Sequence, residues 1–357
     1  MAFCICHISA LEFWRSLDDF ERIRLRRSEA LKRTTLPPFG LSSRDASLVA
    51  KEASTSVSRI DRSSLSSASI TAEEICRDIH GFAGCLRHPL HVLVPTDACR
   101  RKGEALKFHV HGGNFAPGSF FRVGSGYVVS PELAFVQYAR DASLVDLLRA
   151  GTELTGSYAA LLRSPGASGD FDASGFKKGE PVTSIARLSA CAEKMSCEQG
   201  VKRVRVALRY LPEGCASPME SALALLLCLP RMYGGYALPK PMVNYRIEMS
   251  GEGCNMTDKA CFVCDLYWPQ ARLCVEYDSN MFHTGARRIA CDSSRRNALA
   301  FKGITVVSVT GNQIMNRVEM DRVAYLLAKR LKFRPSTYCQ DFPVRQEKLR
   351  KALLSSR

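Results

Sequence analysis

The sequence predicts an α/β protein, α+β overall, in which a mixed sheet covered by helices is preceded by a smaller α+β module. Three observations point there. A hydrophobic content of 46% over 357 residues fills ordinary cores without any apolar run of the roughly 18 residues a membrane helix needs. Strand-like runs occur in two groups, either side of a Gly-, Ser- and Asp-rich stretch at 166–179. In the second group the last two runs are separated by a helical pattern, the arrangement that makes neighbouring strands parallel.

Taken in order, Ile8 to Leu36 has helical periodicity at Leu11, Trp14, Leu17 and Phe20, followed by a basic stretch that Pro37-Pro38 ends. Ser42 to Ser69 holds 11 serines and no aromatic residue, which suits a linker or a mobile polar helix. The segment 1–70 is therefore expected to stand apart from a module at 71–165. Thr71-Ala-Glu-Glu74 reads as a capping box opening a short helix. Strands are expected at His88–Pro95, Leu106–His111 and Ser119–Val129, the last containing a Gly124-Ser125-Gly126 turn, then a helix from Pro131 to about Leu148. His109 and His111 alternate along one face of their run, which offers a metal pair, but with no Cys or carboxylate nearby at ligand spacing ordinary strand residues are the better reading. After a linker at 166–180, the second domain is expected at 181–335 and a basic tail at 336–357.

Within that domain helical patterns cover Ser184–Lys194 and Gln199–Leu211, and Ser217-Pro-Met-Glu220 has the cap, the first-position proline and the third-position acid of a helix start. Strands follow near Val243–Met249, Cys261–Trp268 and Arg272–Asp278, then a helix at about Ile289–Lys302, a strand at Ile304–Val309 and a helix at Val318–Leu331. Asp265 lies on one of two strands joined by a short turn and Glu276-Tyr277-Asp278 on the other, so their carboxylates can meet on one divalent cation.

The formal charge of +15 suggests a polyanionic partner, and +11 of it lies downstream of Gly285, where 16 Lys and Arg face 5 Asp and Glu. Arg287, Arg288, Arg295 and Arg296 flank the acidic cluster, and guanidinium groups suit phosphates. Fifteen scattered cysteines, an odd number, fit a reducing cytoplasm better than a disulfide framework. The N-terminal apolar stretch has no basic leader and meets Glu12 early, which disfavours a secretory signal. Zinc is disfavoured because Cys261-x-x-Cys264 lacks a second short-spaced pair.

The set Asp265, Glu276, Asp278, His283, Asp292, Arg296, Leu299, Gly303 and Val306, with Ser217 to Glu220 and the Gly-Gly-Tyr-Ala-Leu-Pro-Lys-Pro run to Asn244, carries a resemblance. It resembles the PD-(D/E)xK nuclease superfamily, and within it a bacterial family of unknown function related to very-short-patch-repair endonucleases. The resemblance implies a restriction-endonuclease-like αβββαβ core and metal-dependent DNA cleavage by a bacterial cytoplasmic endonuclease or nickase. It implies Asp265 and Glu276 as ligands of Mg2+, with Mn2+ as substitute, and His283 as the base that takes the proton of the attacking water, oriented by Asp292. Asp278 stands where the wider superfamily has lysine; it is a further ligand or the end of a strand. Glu220 is a metal ligand or a capping residue, and Asp292 is an orienting group or a helix N-cap. The alternative is a non-catalytic DNA-binding regulator or antitoxin-like protein on a retained nuclease fold. The partner of the N-terminal module is not legible.

Overall fold

The structure is a computed structural model that describes residues 3–27, 70–79, 86–100, 103–111, 115–160, 175–196, 198–249, 260–278, 286–334 and 339–354, without the side chains of 26–27, 160 and 286–292. The chain forms two compact units, one of Met1–Ala150 with Ala159–Leu208 and one of Gly151–Tyr158 with Arg209–Arg357.

The first unit is built on a five-stranded mixed sheet of β1 (Cys4–Ile5), β2 (Leu90–Val94), β3 (Leu106–Val110), β4 (Phe120–Val123) and β5 (Gly126–Val129), in the order β3-β2-β1-β5-β4. The run over 119–129 is a hairpin, turned where the sequence places Gly124-Ser125-Gly126, and the Gly124 φ of 57° suits a residue without Cβ. The two-residue β1 sits at the centre, antiparallel to β2 through Ile5 and Val92 and parallel to β5 through Ile5 and Val128. Residues 1–70 and 71–165 therefore do not form separate modules, because the first strand completes the sheet of the second segment.

Helix α1 (His7–Ser16) is buried along most of its length. Its Trp14 fills the core edge-on to Phe121 and donates Nε1–H to the Val129 carbonyl at 2.8 Å. The expected continuous helix stops there. Leu17 is extended, and Asp18 and Glu21 exchange side-chain-to-amide hydrogen bonds of 2.7 and 3.0 Å that start α2 (Asp19–Arg27). Pro37-Pro38 and the serine-rich stretch lie outside the described residues. Helix α3 (Ala72–Asp78) opens on the Thr71–Glu74 capping box, as the sequence predicts.

The helix expected over 131–148 is two, α4 (Pro131–Tyr138) and α5 (Leu144–Thr155). Ser143 restarts the second by accepting the Asp146 amide at 3.1 Å. Arg203 covers the carbonyls of Ala139 and Ala142 at 2.6 and 2.7 Å, the acceptors left open by the break. Two short strands follow, β6 (Tyr158–Ala160) and β7 (Phe176–Lys178), then α6 (Ile185–Lys194) and α7 (Val201–Tyr210). Both of these helices group with the first unit, not with the C-terminal domain expected at 181–335. Buried Glu132 on α4 explains the docking of α6: it accepts from Thr183 Oγ1 at 2.5 Å and pairs with Arg187 at 3.0 Å.

The second unit runs α8 (Pro218–Cys228), β8 (Met242–Glu248), β9 (Cys261–Trp268), β10 (Leu273–Asp278), α9 (Ala286–Phe301), β11 (Thr305–Thr310), α10 (Gly311–Met315), α11 (Arg317–Arg330) and α12 (Phe342–Leu354). The sheet order is β11-β10-β9-β8. The meander β8-β9-β10 is antiparallel, and the α9 crossover makes β11 parallel to β10. Ile247, Phe262, Cys264, Cys274, Ala298, Leu299 and Ile304 form the core between sheet and α9. After α8 the chain turns tightly at Gly234-Gly235, where a Cβ on Gly235 would stand 2.1 Å from the Leu229 carbonyl oxygen. Most of the expected basic tail is α12, whose Leu349 and Leu353, one turn apart, are buried. Among the described residues no helix is long and apolar enough to cross a membrane.

Candidate functional site

The acidic cluster of the second unit is assembled by the start of α8 and the β9–β10 hairpin. The hairpin turns through Pro269–Ala271 and Arg272, whose φ of 45° closes the loop. Its register ends at the pair Val275–Leu266, and beyond it the Glu276 carboxylate groups with the sulfurs of Cys264 and Cys274. Tyr277 N–H then donates to Asp265 Oδ2 at 2.7 Å.

Burial is the largest influence on Asp265 and raises its carboxyl to about 6. The negative charge of Glu220 pushes the same way, and Glu276 adds to it. The Tyr277 amide and Arg295 pull the value down without cancelling the rise.

Glu220 fills the capping role considered for it, and its charge also acts on Asp265. Ser217 Oγ accepts the Glu220 amide at 3.2 Å, while Glu220 Oε2 accepts the Ala216 amide at 2.8 Å, closing the start of α8. The same carboxylate is the strongest charge acting on Asp265. Asn244, with φ of 47°, donates Nδ2–H to Glu220 Oε2 at 3.2 Å and to the Gly214 carbonyl at 2.8 Å, fixing the glutamate from β8. The sequence places Asn244 at the entry to the sheet without a role; the signal it offers is the residue type, since Asn tolerates the left-handed backbone found here.

Glu276 is otherwise engaged. Its Oε1 lies 2.5 Å from Arg295 NH2 and accepts from the Cys274 thiol at 3.6 Å. Arg295 also donates to the Val263 carbonyl and lies over the Phe262 ring with its carbon 5.7 Å from the centroid. The guanidinium expected to meet phosphate is thus turned onto the sheet, whereas Arg296 is exposed on α9. Asp278 ends β10 in exposed position, opposite Thr310. Helix α9 begins at Ala286, which puts Asp292 in its second turn and removes the N-cap role considered for it. The side chains of Arg287, Arg288 and Asp292 and the whole of His283 lie outside the described residues.

A second group of chemistry-bearing residues lies in the first unit; the sequence offers His109 with His111, whereas the structure collects His109 with His7 and His91. His7, His91 and His109 come together where α1 leaves β1 beside β2 and β3. The His109 Nε2 and His91 Nδ1 atoms are 2.9 Å apart, the His7 and His109 rings stack at 3.5 Å, and His7 Nδ1 is 3.1 Å from Cys6 Sγ. Burial, then neighbouring positive charge, lowers all three imidazoles, His91 to about 4 and His109 to about 3.

No protein-family profile matches the chain, and no solved structure does. Two Mycobacterium tuberculosis proteins described as uncharacterized, MT2308 from strain CDC 1551 and Rv2248 from strain H37Rv, are each 29% identical to it over 143 residues. The match covers 40% of this chain and 47% of each relative, so what this chain shares is about half the length of the curated relatives it matches.

Proposed function

We propose that the second unit hydrolyses phosphodiester bonds in DNA, as a Mg2+-dependent endonuclease or nickase of the restriction-endonuclease-like class. The observation that carries this reading is Asp265. A half-buried carboxyl raised to about 6 beside Glu220 and Glu276 is a group whose ionised form a divalent cation would stabilise. The element order α8-β8-β9-β10-α9-β11, the order the sequence resemblance implies, supports the same reading.

Asp265, Glu220 and Glu276 offer only oxygen, the donor a small hard cation takes. Among the described residues their donor atoms do not form a group within 4.8 Å, Glu276 grouping instead with Cys264 and Cys274, so an ion would have to draw the three carboxylates together. Bound there, Mg2+, or Mn2+ in its place, would polarise the scissile phosphate and lower the pKa of a water. Asp265 and Glu220 would hold such an ion, Glu276, now paired with Arg295, would be a third ligand, and Asp278 at the exposed strand end a further one. The Tyr277 amide and Asn244 keep the first two carboxylates oriented. His283 accepts the proton of the attacking water and Asp292 orients it. Arg287, Arg288 and Arg296 neutralise phosphates on α9, which gives salt-sensitive binding with little sequence preference. A bacterial cytoplasmic location belongs to this reading, and targeting or regulation falls to the first unit.

One observation favours a second reading, a non-catalytic DNA-binding protein. The Arg295–Glu276 ion pair already satisfies an acid that the metal would need, and Asp278 replaces the usual lysine.

Supercoiled plasmid separates the two. Purified protein with Mg2+, Mn2+ or EDTA at low salt is expected to nick in a metal-dependent way, and Asp265→Ala to remove nicking by at least a hundredfold while retaining plasmid binding. Binding without nicking in wild type, equal with and without EDTA, selects the second reading.

A further inference from the structure

We propose that Cys6, His7 and His109 of the first unit form a binding site for a borderline transition metal ion of the Zn2+ class, with a fourth position open to a small cavity.

The donor atoms of these three buried side chains all lie within 4.8 Å of one another. Bonds of roughly 2.0–2.3 Å to a tetrahedral zinc set its ligand atoms about 3.3–3.8 Å apart. The Cys6–His7 separation of 3.1 Å is therefore within a small side-chain adjustment of that geometry. Adjacent residues seldom aim at one point. Here His7 takes a φ of 50° as the chain turns from β1 into α1, its amide held to Gln137 Oε1 at 3.3 Å, and its ring comes back over Cys6.

The third donor arrives from β3. His109 stacks on His7 with centroids 3.5 Å apart, a stack that ring rotation would open when both nitrogens turn to one ion, and His91 of β2, paired with Lys107 across the sheet, stands 2.9 Å from His109 Nε2. An imidazole held by a partner on one nitrogen offers the other in a fixed direction, so His91 is a positioning residue for His109. Sulfur with two nitrogens selects Zn2+, Co2+ or Ni2+ over Mg2+, which asks for oxygen. The site is therefore chemically distinct from the carboxylate cluster of the second unit.

Three protein ligands leave one position for an exchangeable group. His7 and His109 line a cavity of about 260 Å3 that His111, Arg140 and Glu198 also border. Its polar and charged rim suits a water or a small anion as the fourth ligand.

Co2+ is the probe, because a tetrahedral cobalt site absorbs strongly in the visible and a cobalt–thiolate bond adds a near-ultraviolet band. Full-length protein stripped with EDTA and titrated with Co2+ is expected to give both signals with an endpoint of one ion per chain, and Zn2+ to displace them. Cys6→Ser should abolish the near-ultraviolet band, and His109→Gln should weaken Co2+ binding at least tenfold. His91→Gln should weaken binding by a smaller factor while keeping the thiolate band. Cys274→Ser, which breaks the Cys264, Cys274 and Glu276 group of the second unit, should change nothing. The proposal is overturned if wild-type protein gives no thiolate band, if the band survives Cys6→Ser, or if it is lost in Cys274→Ser. The wild-type titration decides the question even where a variant fails to fold.

Discussion

The Tyr277 amide donates to Asp265 Oδ2 at 2.7 Å, just beyond Val275–Leu266, the last antiparallel backbone pair of β9 and β10. The side chain takes over the hydrogen-bonding position where the ladder ends. Asp265 is thereby fixed in a place where burial and two nearby carboxylates oppose its ionisation.

That opposition has a sign. The carboxyl is raised from 3.8 to about 6 in the folded protein. Folding therefore binds an additional proton between these values, and the stability associated with the protonated form is lost as pH rises through them. Asp265→Asn keeps an acceptor for Tyr277 and removes the charge, so in EDTA at pH 7.5 it should stabilise the protein by about 1–2 kcal/mol. Melting wild type and variant from pH 4 to pH 8 checks this; parallel curves would refute it.

Protons and a metal should compete for the same carboxylate. With Asp265 titrating near 6, Mg2+ affinity measured by calorimetry should be about tenfold weaker at pH 5 than at pH 7.5. Affinity independent of pH across this range would remove Asp265 from the ligand set.

Arg295 anchors Glu276 and packs on Phe262. Arg295→Met keeps much of the packing and removes the Arg295 ion pair from Glu276, which should cost about 1–3 kcal/mol in EDTA. Added Mg2+ should recover part of the loss if Glu276 joins the ion. A melting temperature unchanged by the substitution counts against the structural role of the pair.

In the first unit, Trp14→Phe deletes the donor to the buried Val129 carbonyl. An unpaired buried acceptor, together with the smaller ring, should destabilise by about 2–4 kcal/mol, read from a urea titration with unchanged slope. A loss under half a kcal/mol would mean that another donor reaches Val129.

How much of this was legible follows from what each element asks of its neighbours. Strands β8 to β11 and helices α8, α9 and α11 show in the sequence because apolar period and punctuation coincide there, as at Ser217-Pro218 and at Pro269. The helix breaks at Leu17 and at 139–143 could have been read, since Asp18–Glu21 and Ser143–Asp146 carry cap spacing that a long apolar period masks. Strand β1 could not, because two residues have no period and Cys4-Ile5 is a strand only through partners distant in the chain. The same holds for the histidine cluster. Each of His7, His91 and His109 reads alone as an ordinary residue, and only the sheet order β3-β2-β1 collects them. Asp265 and Glu276 were visible as a pair from hairpin spacing, whereas the hold of Asn244 on Glu220 and of Arg295 on Glu276 depends on packing between elements.

The central position of β1 makes assembly of the first unit a long-range event. Ile5 must wait for Val92 and Val128 before the sheet is continuous, and contacts so distant along the chain slow folding. Until Cys4 and Ile5 dock, the β2–β3 and β4–β5 pairs are separate ribbons, each with an unpaired edge that invites association with other chains. A deletion through Cys6 would make that transient state permanent, so its expected phenotype is aggregation of the whole chain rather than loss of one small strand.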